Sequence, residues 1–162
     1  MTGPWEAGPP AVVIGIGNEF RRDDGAGPAV VARLRGRVPG DVELLITDGE
    51  PTTMIEAWAG AGVAVIVDAV RAEPAVPGRL HRLVLHQPGS NLARPVSSHG
   101  FGVDEAIGLA LALDRMPGRL IVHAVEAADL GQRIGLSPAV AASKEALTAA
   151  VLRDLTGQGQ HG

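Results

Sequence analysis

Cysteine is absent from this 162-residue chain. That excludes a disulfide framework, a thiolate nucleophile and any zinc site built on cysteine, so a bound metal must be held by oxygen and imidazole. Aromatic residues are scarce at 2%, whereas hydrophobic residues make up 46%. The core must therefore be filled with Val, Ile, Leu and Ala, the usual filling of a parallel sheet covered by helices. A basic field is also lacking: the formal charge is -4 and the pI near 5.7. This argues against a nucleic-acid partner, and the local cluster Arg33, Arg35 and Arg37 reads as the decoration of a helix end. No apolar run approaches the roughly 20 residues that span a bilayer. Met1 to Pro10 holds Trp5 and three prolines but neither a basic start nor an apolar stretch, so it does not read as a secretory signal. The expectation is a soluble, cytoplasmic protein of one domain spanning residues 1–162, with an ordered core over about 11–155 and flexible ends.

What the chain does have is a loop rich in carboxylates. The apolar run Ala11 to Ile14 leads into Gly15-Ile16-Gly17-Asn18-Glu19-Phe20-Arg21-Arg22-Asp23-Asp24-Gly25-Ala26-Gly27. A strand ending in Gly-x-Gly often introduces a dinucleotide site, but Phe20 stands where a third small residue is required. Glu19 would also set a negative charge beside a pyrophosphate. The loop is suited to meet a cation.

Along the rest of the chain, the spacing of apolar residues and of Gly and Pro predicts alternating elements. Strands are expected over Ala11 to Gly17, Val42 to Thr47, Val63 to Val67, Arg79 to Leu85 and Leu120 to Val125. Helices are expected over Asp24 to Arg37, Thr52 to Ala59, Asp104 to Arg115 and Ser137 to Leu155. The fourth strand carries Arg79, His81, Arg82 and His86 and belongs nearer an edge, with its histidines at the surface. Gln87 to Gly100 reads as a long loop with His99 at its end. The element order implies an α/β fold, a three-layer α/β/α sandwich with a mostly parallel sheet. In such sheets ligands bind beyond the carboxyl ends of the strands. Glu19 and Asp68 follow the first and third strands, which flank the switch point in the order 2-1-3-4-5.

Each carboxylate has an ordinary structural explanation to set beside a functional one. Asp23 and Asp24 suit the capping of the first helix, where acidic residues favour the macrodipole. Glu19 lies ahead of that helix and directly after a buried strand, which favours a functional role. Asp68 ends an aliphatic run, either as a strand-end carboxylate held by loop amides or as a ligand in a crevice. His99 alone is an ordinary loop histidine. In combination, Glu19, Asp68 and His99 are two carboxylates and an imidazole that leave coordination positions open, a set suited to nickel, manganese, iron or zinc.

These residues carry a resemblance. Gly15-Ile16-Gly17-Asn18-Glu19 with Asp23-Asp24-Gly25-Ala26-Gly27, then Asp48-Gly49, Val67-Asp68-Ala69 and Ser98-His99-Gly100, resembles the nickel-iron hydrogenase maturation proteases over about Val12 to Leu155. The resemblance implies a twisted five-stranded sheet between helices. It also implies an endopeptidase that removes the C-terminal extension of a hydrogenase large-subunit precursor after nickel insertion. Glu19, Asp68 and His99 match the residues that meet the metal, which is the substrate's own nickel, and no organic cofactor is implied. Asp48 matches a further acidic position, which makes Glu19, Asp48, Asp68 and His99 the candidate catalytic set. The stretch Asp48-Gly49-Glu50-Pro51-Thr52-Thr53 departs from the family's Gly-Thr-x-Gly type sequence, and Glu50 is either a second carboxylate of the site or the residue before a helix. Two other functions fit parts of the chain. A peptidyl-tRNA hydrolase shares the opening Gly15-Ile16-Gly17-Asn18, but the acidic loop and the lack of a basic face oppose it. A receiver-like or metal-sensing module would explain acids after the first and third strands. It lacks the expected lysine after the fifth strand, where His123, Glu126 and Asp129 stand.

Overall fold

A computed structural model describes residues 9–86 and 103–156. Five strands, β1 (Ala11–Ile16), β2 (Val42–Thr47), β3 (Val63–Val70), β4 (Leu80–His86) and β5 (Arg119–Glu126), form one sheet in the order β2-β1-β3-β5-β4. The first four strands in that order run parallel, and β4 pairs antiparallel with β5. Helices α1 (Ala26–Leu34) and α4 (Pro138–Leu155) cover one face, and α2 (Pro51–Trp58) and α3 (Asp104–Leu113) the other. This is the expected α/β/α sandwich.

Period-two alternation divides the core between the two faces. Val12, Ile14 and Ile16 of β1 join Ala64 and Ile66 of β3 beneath Met54, Ile55 and Trp58 of α2. Ala11 and Val13 join Val65, Val67, Ile121 and Val125 beneath Val30, Val31 and Leu34 of α1 and Val140, Leu147 and Val151 of α4. Trp58 is fully buried and its indole N–H donates to the Arg115 carbonyl at 3.0 Å, so the largest side chain of the core leaves no donor unpaired.

Several boundaries and one strand position differ from the sequence expectation. β5, not β4, lies beside β3. The β3–β4 connection is too short to carry a crossover helix to a parallel neighbour. The two strands also differ in composition: β5 is apolar enough to be buried on both sides, whereas β4 bears Arg82 and His81 and suits an edge. β3 continues through Asp68 to Val70, so Asp68 lies within the strand. The first helix is shorter than Asp24 to Arg37: a 3-10 turn covers Arg22–Gly25, and α1 stops at Leu34 because Arg35 is extended and Gly36 has φ 79°. In α3 the buried residues are Ala106 and Ala110, while Leu109, Leu111 and Leu113 are exposed. A helix of 3.6 residues per turn presents only one such stripe to a sheet.

Candidate active-site cleft

The loop after β1 is shaped by close packing. Gly17 has φ 140°, and a Cβ there would collide with the Asp24 carbonyl. Gly27 opens α1 so close to the sheet that a Cβ would stand 2.6 Å from the carbonyl oxygens of both Ile16 and Val67. The glycines of the motif thus let α1 start directly over β1 and β3, and the intervening residues project past the carboxyl end of the sheet.

Two residues of the loop fasten it to the β5–α4 connection. Asp23 is fully buried and accepts four hydrogen bonds: Oδ2 from the amides of Ala128 (2.8 Å) and Asp129 (3.0 Å) and from the Ser137 hydroxyl (2.8 Å), and Oδ1 from the Ser137 amide (2.7 Å). Burial opposes its ionisation, but the Ser137 amide and hydroxyl with the Ala128 and Asp129 amides outweigh burial, and the carboxyl is held below its ordinary range. Arg22 sits at φ 54°, an uncommon conformation for a residue with a side chain. Its amide donates to the Arg133 carbonyl at 2.7 Å and its guanidinium to the Gly135 carbonyl at 3.1 Å, so tertiary contacts hold it there. Neither acid caps α1 as the sequence suggests. The N-cap position is Gly25 without a side-chain bond, and Asp24 accepts from the Asn18 amide at 2.9 Å, closing the loop on itself. Ser137, at the N-cap position of α4, gives its hydroxyl to Asp23 instead of to the helix.

The result is an open cleft of about 560 Å³. Asn18, Glu19 and Phe20 line it from the β1 loop, Pro28, Ala29, Ala32 and Arg35 from α1, Ile46 and Asp48 from the end of β2, and Ile134 to Leu136 from the loop that Asp23 fastens. Glu19 and Asp48 are both exposed there. Asp48 Oδ1 accepts from the Glu50 amide at 3.2 Å. Glu50 caps α2, its carboxylate accepting from the Thr53 amide at 3.0 Å, which settles its place as the residue before the helix. Asp68 is buried on β3, on the face shared with Ala64 and Ile66. The register pairs Ile16 with Thr47 on one side and Gly15 with Val67 on the other. Asp48 and Asp68 therefore flank the end of β1, on strands about 10 Å apart at ~4.8 Å per step, and Glu19 lies in the loop between them. His99 lies outside the described residues. Among the described residues no group of three or more His, Cys, Asp or Glu side chains is placed to hold a metal ion.

Two further polar networks escaped the sequence reading. Beneath α4, buried His123 lies 2.6 Å from Asp154 Oδ2, and Arg82 donates to Asp154 Oδ1 at 2.7 Å. Burial pushes the Asp154 carboxyl upward, but His123 and Arg82 outweigh it and leave it lowered. Across the sheet, buried Glu126 accepts from the Val76 amide at 2.7 Å and lies 2.7 Å from the His81 ring, and both bonds lower its pKa. His81 is thus exposed but paired. Asp154 could have been flagged, because it falls on the same stripe as Leu147 and Val151, seven and three residues earlier in α4.

The fold and cleft define a class: a doubly covered, mostly parallel sheet with an open cleft beyond the carboxyl ends of β1 and β2, lined by Glu19 and Asp48. Solved structures of similar architecture include the hydrogenase maturating endopeptidase HybD from E. coli, with 24% identity, 92% of this chain and 93% of that one covered, and a TM-score of 0.75. Hydrogenase 2 maturation peptidase from a Thaumarchaeota archaeon has 28% identity, coverage of 90% and 97%, and a TM-score of 0.68. The HybD protease from Thermococcus kodakarensis has 23% identity, coverage of 88% and 97%, and a TM-score of 0.67. Comparison with curated proteins gives no match. A family model described as hydrogenase maturation protease matches residues 29–154, and the chain belongs to that family. The matched span begins beyond the glycine-rich acidic loop, so membership rests on the remainder of the chain. The protein is a peptidase, and the peptidyl-tRNA hydrolase and receiver-like readings fall away. No described helix is long and apolar enough to cross a membrane.

Proposed function

We propose that this peptidase removes the C-terminal extension of a nickel-iron hydrogenase large-subunit precursor in the cytoplasm after nickel insertion, and that Glu19, Asp68 and His99 meet the precursor's nickel. The observation that carries the reading is that Glu19 and Asp48 line one open cleft at the carboxyl ends of β1 and β2, with Asp68 on the adjacent strand β3. Family membership supports the substrate class. The donor set fits transient recognition better than permanent possession. It contains no thiolate, and a carboxylate-rich site gives up nickel readily compared with one of several soft sulfur ligands. A divalent ion at the scissile amide polarises its carbonyl or acidifies a bound water. If nickel recognition fails, Glu19, exposed on the cleft, becomes the candidate general base acting on water without metal.

The test is incubation of the purified protein with a nickel-loaded and a nickel-free precursor, followed by mass measurement of the large subunit. Shortening of the loaded form alone is expected, even when the protease has first been mixed with a modest excess of zinc. Cleavage of the nickel-free precursor at the same rate would remove nickel recognition from the mechanism. Purified protease is expected to hold little nickel.

A further inference from the structure

The cleft continues away from Glu19 and Asp48 as a groove with its own chemistry. α1 begins above the end of β1 and runs back toward the opposite edge of the sheet, and its residues Pro28, Ala29, Ala32 and Arg35 line the groove. Ile46 of edge strand β2 lies at the other wall and is 42% exposed, because α1 packs chiefly on β1 and β3 and leaves this end of β2 uncovered. Phe20 (57%) and Ile134 (70%) stand at the mouth, also exposed. Small side chains along the helix and large apolar ones at the rim leave room for an extended chain with apolar side groups.

Arg35 closes the far end. It is exposed and extended at the helix terminus, and it makes no ion pair among the described residues, whereas neighbouring Arg33 pairs with Glu145. An unpaired guanidinium beside an apolar groove matches a carboxylate on the occupant. From Pro28 to Arg35 the helix advances about 10 Å at ~1.5 Å per residue. That is the length of roughly three residues of extended peptide.

We infer that this groove binds the precursor's C-terminal extension as an extended apolar strand, with Arg35 pairing to an acidic side chain at least three residues beyond the scissile bond. The assignment rests on the proposed processing reaction. The folded, nickel-bearing body of the precursor is too bulky for the groove, whereas the extension is the part that can enter it. With the scissile bond at Glu19 and Asp48, the chain leaving along α1 needs about three residues for the span from Pro28 to Arg35 alone. Arg35 is a specificity determinant and takes no part in bond cleavage.

Two measurements test this. In the first, a short fluorescein-labelled peptide of valine and alanine with one central glutamate, and its glutamine counterpart, are titrated with the protein and followed by anisotropy. The glutamate peptide is expected to bind about three- to fivefold more tightly, in keeping with a partly exposed ion pair. The preference should vanish in Arg35→Ala, turn against the glutamate peptide in Arg35→Glu, and shrink at high salt. Equal affinity for the two peptides, absence of binding by either, or a preference that survives Arg35→Glu overturns the groove. In the second, processing of the nickel-loaded precursor by Arg35→Glu should show a raised KM with kcat unchanged. An unchanged KM overturns the extension as occupant. Failure of the wild-type protein to process the precursor, with the peptide preference intact, would instead count against the processing reaction and leave the groove standing.

Discussion

Replacing Asp23 removes the tie between the Glu19 loop and the far wall of the cleft. In Asp23→Ala four donors lose their acceptor: the amides of Ala128, Asp129 and Ser137 and the Ser137 hydroxyl. A hydrogen bond to a charged group is worth about 1.5–3 kcal/mol, and a buried donor left unpaired costs about 1–3 kcal/mol. Ala128 is exposed and Asp129 half-buried, so water can reach those two amides, but Ser137 is buried. Discounting the first two, the loss is about 3–4 kcal/mol, or a fall in Tm of roughly 6–15 °C for a chain of this size. Asp23→Asn is milder, at about 2 kcal/mol, because the amide oxygen can still serve three donors while its NH2 group faces the Ser137 N–H. The pH dependence follows from the lowered pKa of Asp23. The unfolded chain binds a proton near pH 3.9, above the folded value. The carboxylate's contribution is therefore complete above that pH and is lost as pH falls through the folded pKa. Urea unfolding from pH 7 down to pH 3 should show the wild-type advantage over Asp23→Asn narrowing below about pH 4. A neutral-pH loss under about 1 kcal/mol in Asp23→Ala would refute the assignment of Asp23 as the fastening residue.

Other substitutions separate chemistry from support. Glu19→Gln is expected to reduce processing at least tenfold while leaving stability within about 0.5 kcal/mol, since exposed positions rarely contribute more. His99→Ala should abolish processing with a stability change below roughly 1 kcal/mol, and unimpaired processing would remove His99 from the site. Asp154→Ala leaves His123 buried without its partner and should cost about 3 kcal/mol in a denaturation curve with no direct effect on cleavage. Because the Asp154 carboxyl is lowered, the wild-type advantage over this variant also fades on acidification through the folded pKa.

The sheet and its helices were legible because their signals are local. Uninterrupted aliphatic runs marked β1 and β3 as buried, and Pro51 and Pro138 marked helix starts. The position of β4 at the edge could be read from its arginine and histidines, but the polar networks that join β4 to β5 and α4 could not. Asp154 and His123 are 31 residues apart, and Glu126 and His81 are 45 apart. No window of sequence reveals such pairs. The exposed leucines of α3 mark the opposite failure, an apolar segment whose composition exceeds the stripe its helix can bury.

The acidic loop shows why residue type alone could not assign roles within it. Glu19 and Asp23 lie four residues apart on either side of Arg21, both in a turn beyond a buried strand, and the sequence favours a functional role for the first and a helix cap for the second. Their surroundings divide them. Asp23 is fully buried and accepts four hydrogen bonds from donors 105 to 114 positions away. Neither of its oxygens is open to an ion or substrate. Glu19 makes no side-chain hydrogen bond among the described residues and opens onto the cleft. Accepting capacity, which only tertiary structure can use up, therefore separates the carboxylate that builds the site from the one available to act in it. On the β2 side of β1, Glu50 and Asp48 each have one oxygen committed, to Thr53 and to the Glu50 amide, and it is Asp48 that lines the cleft.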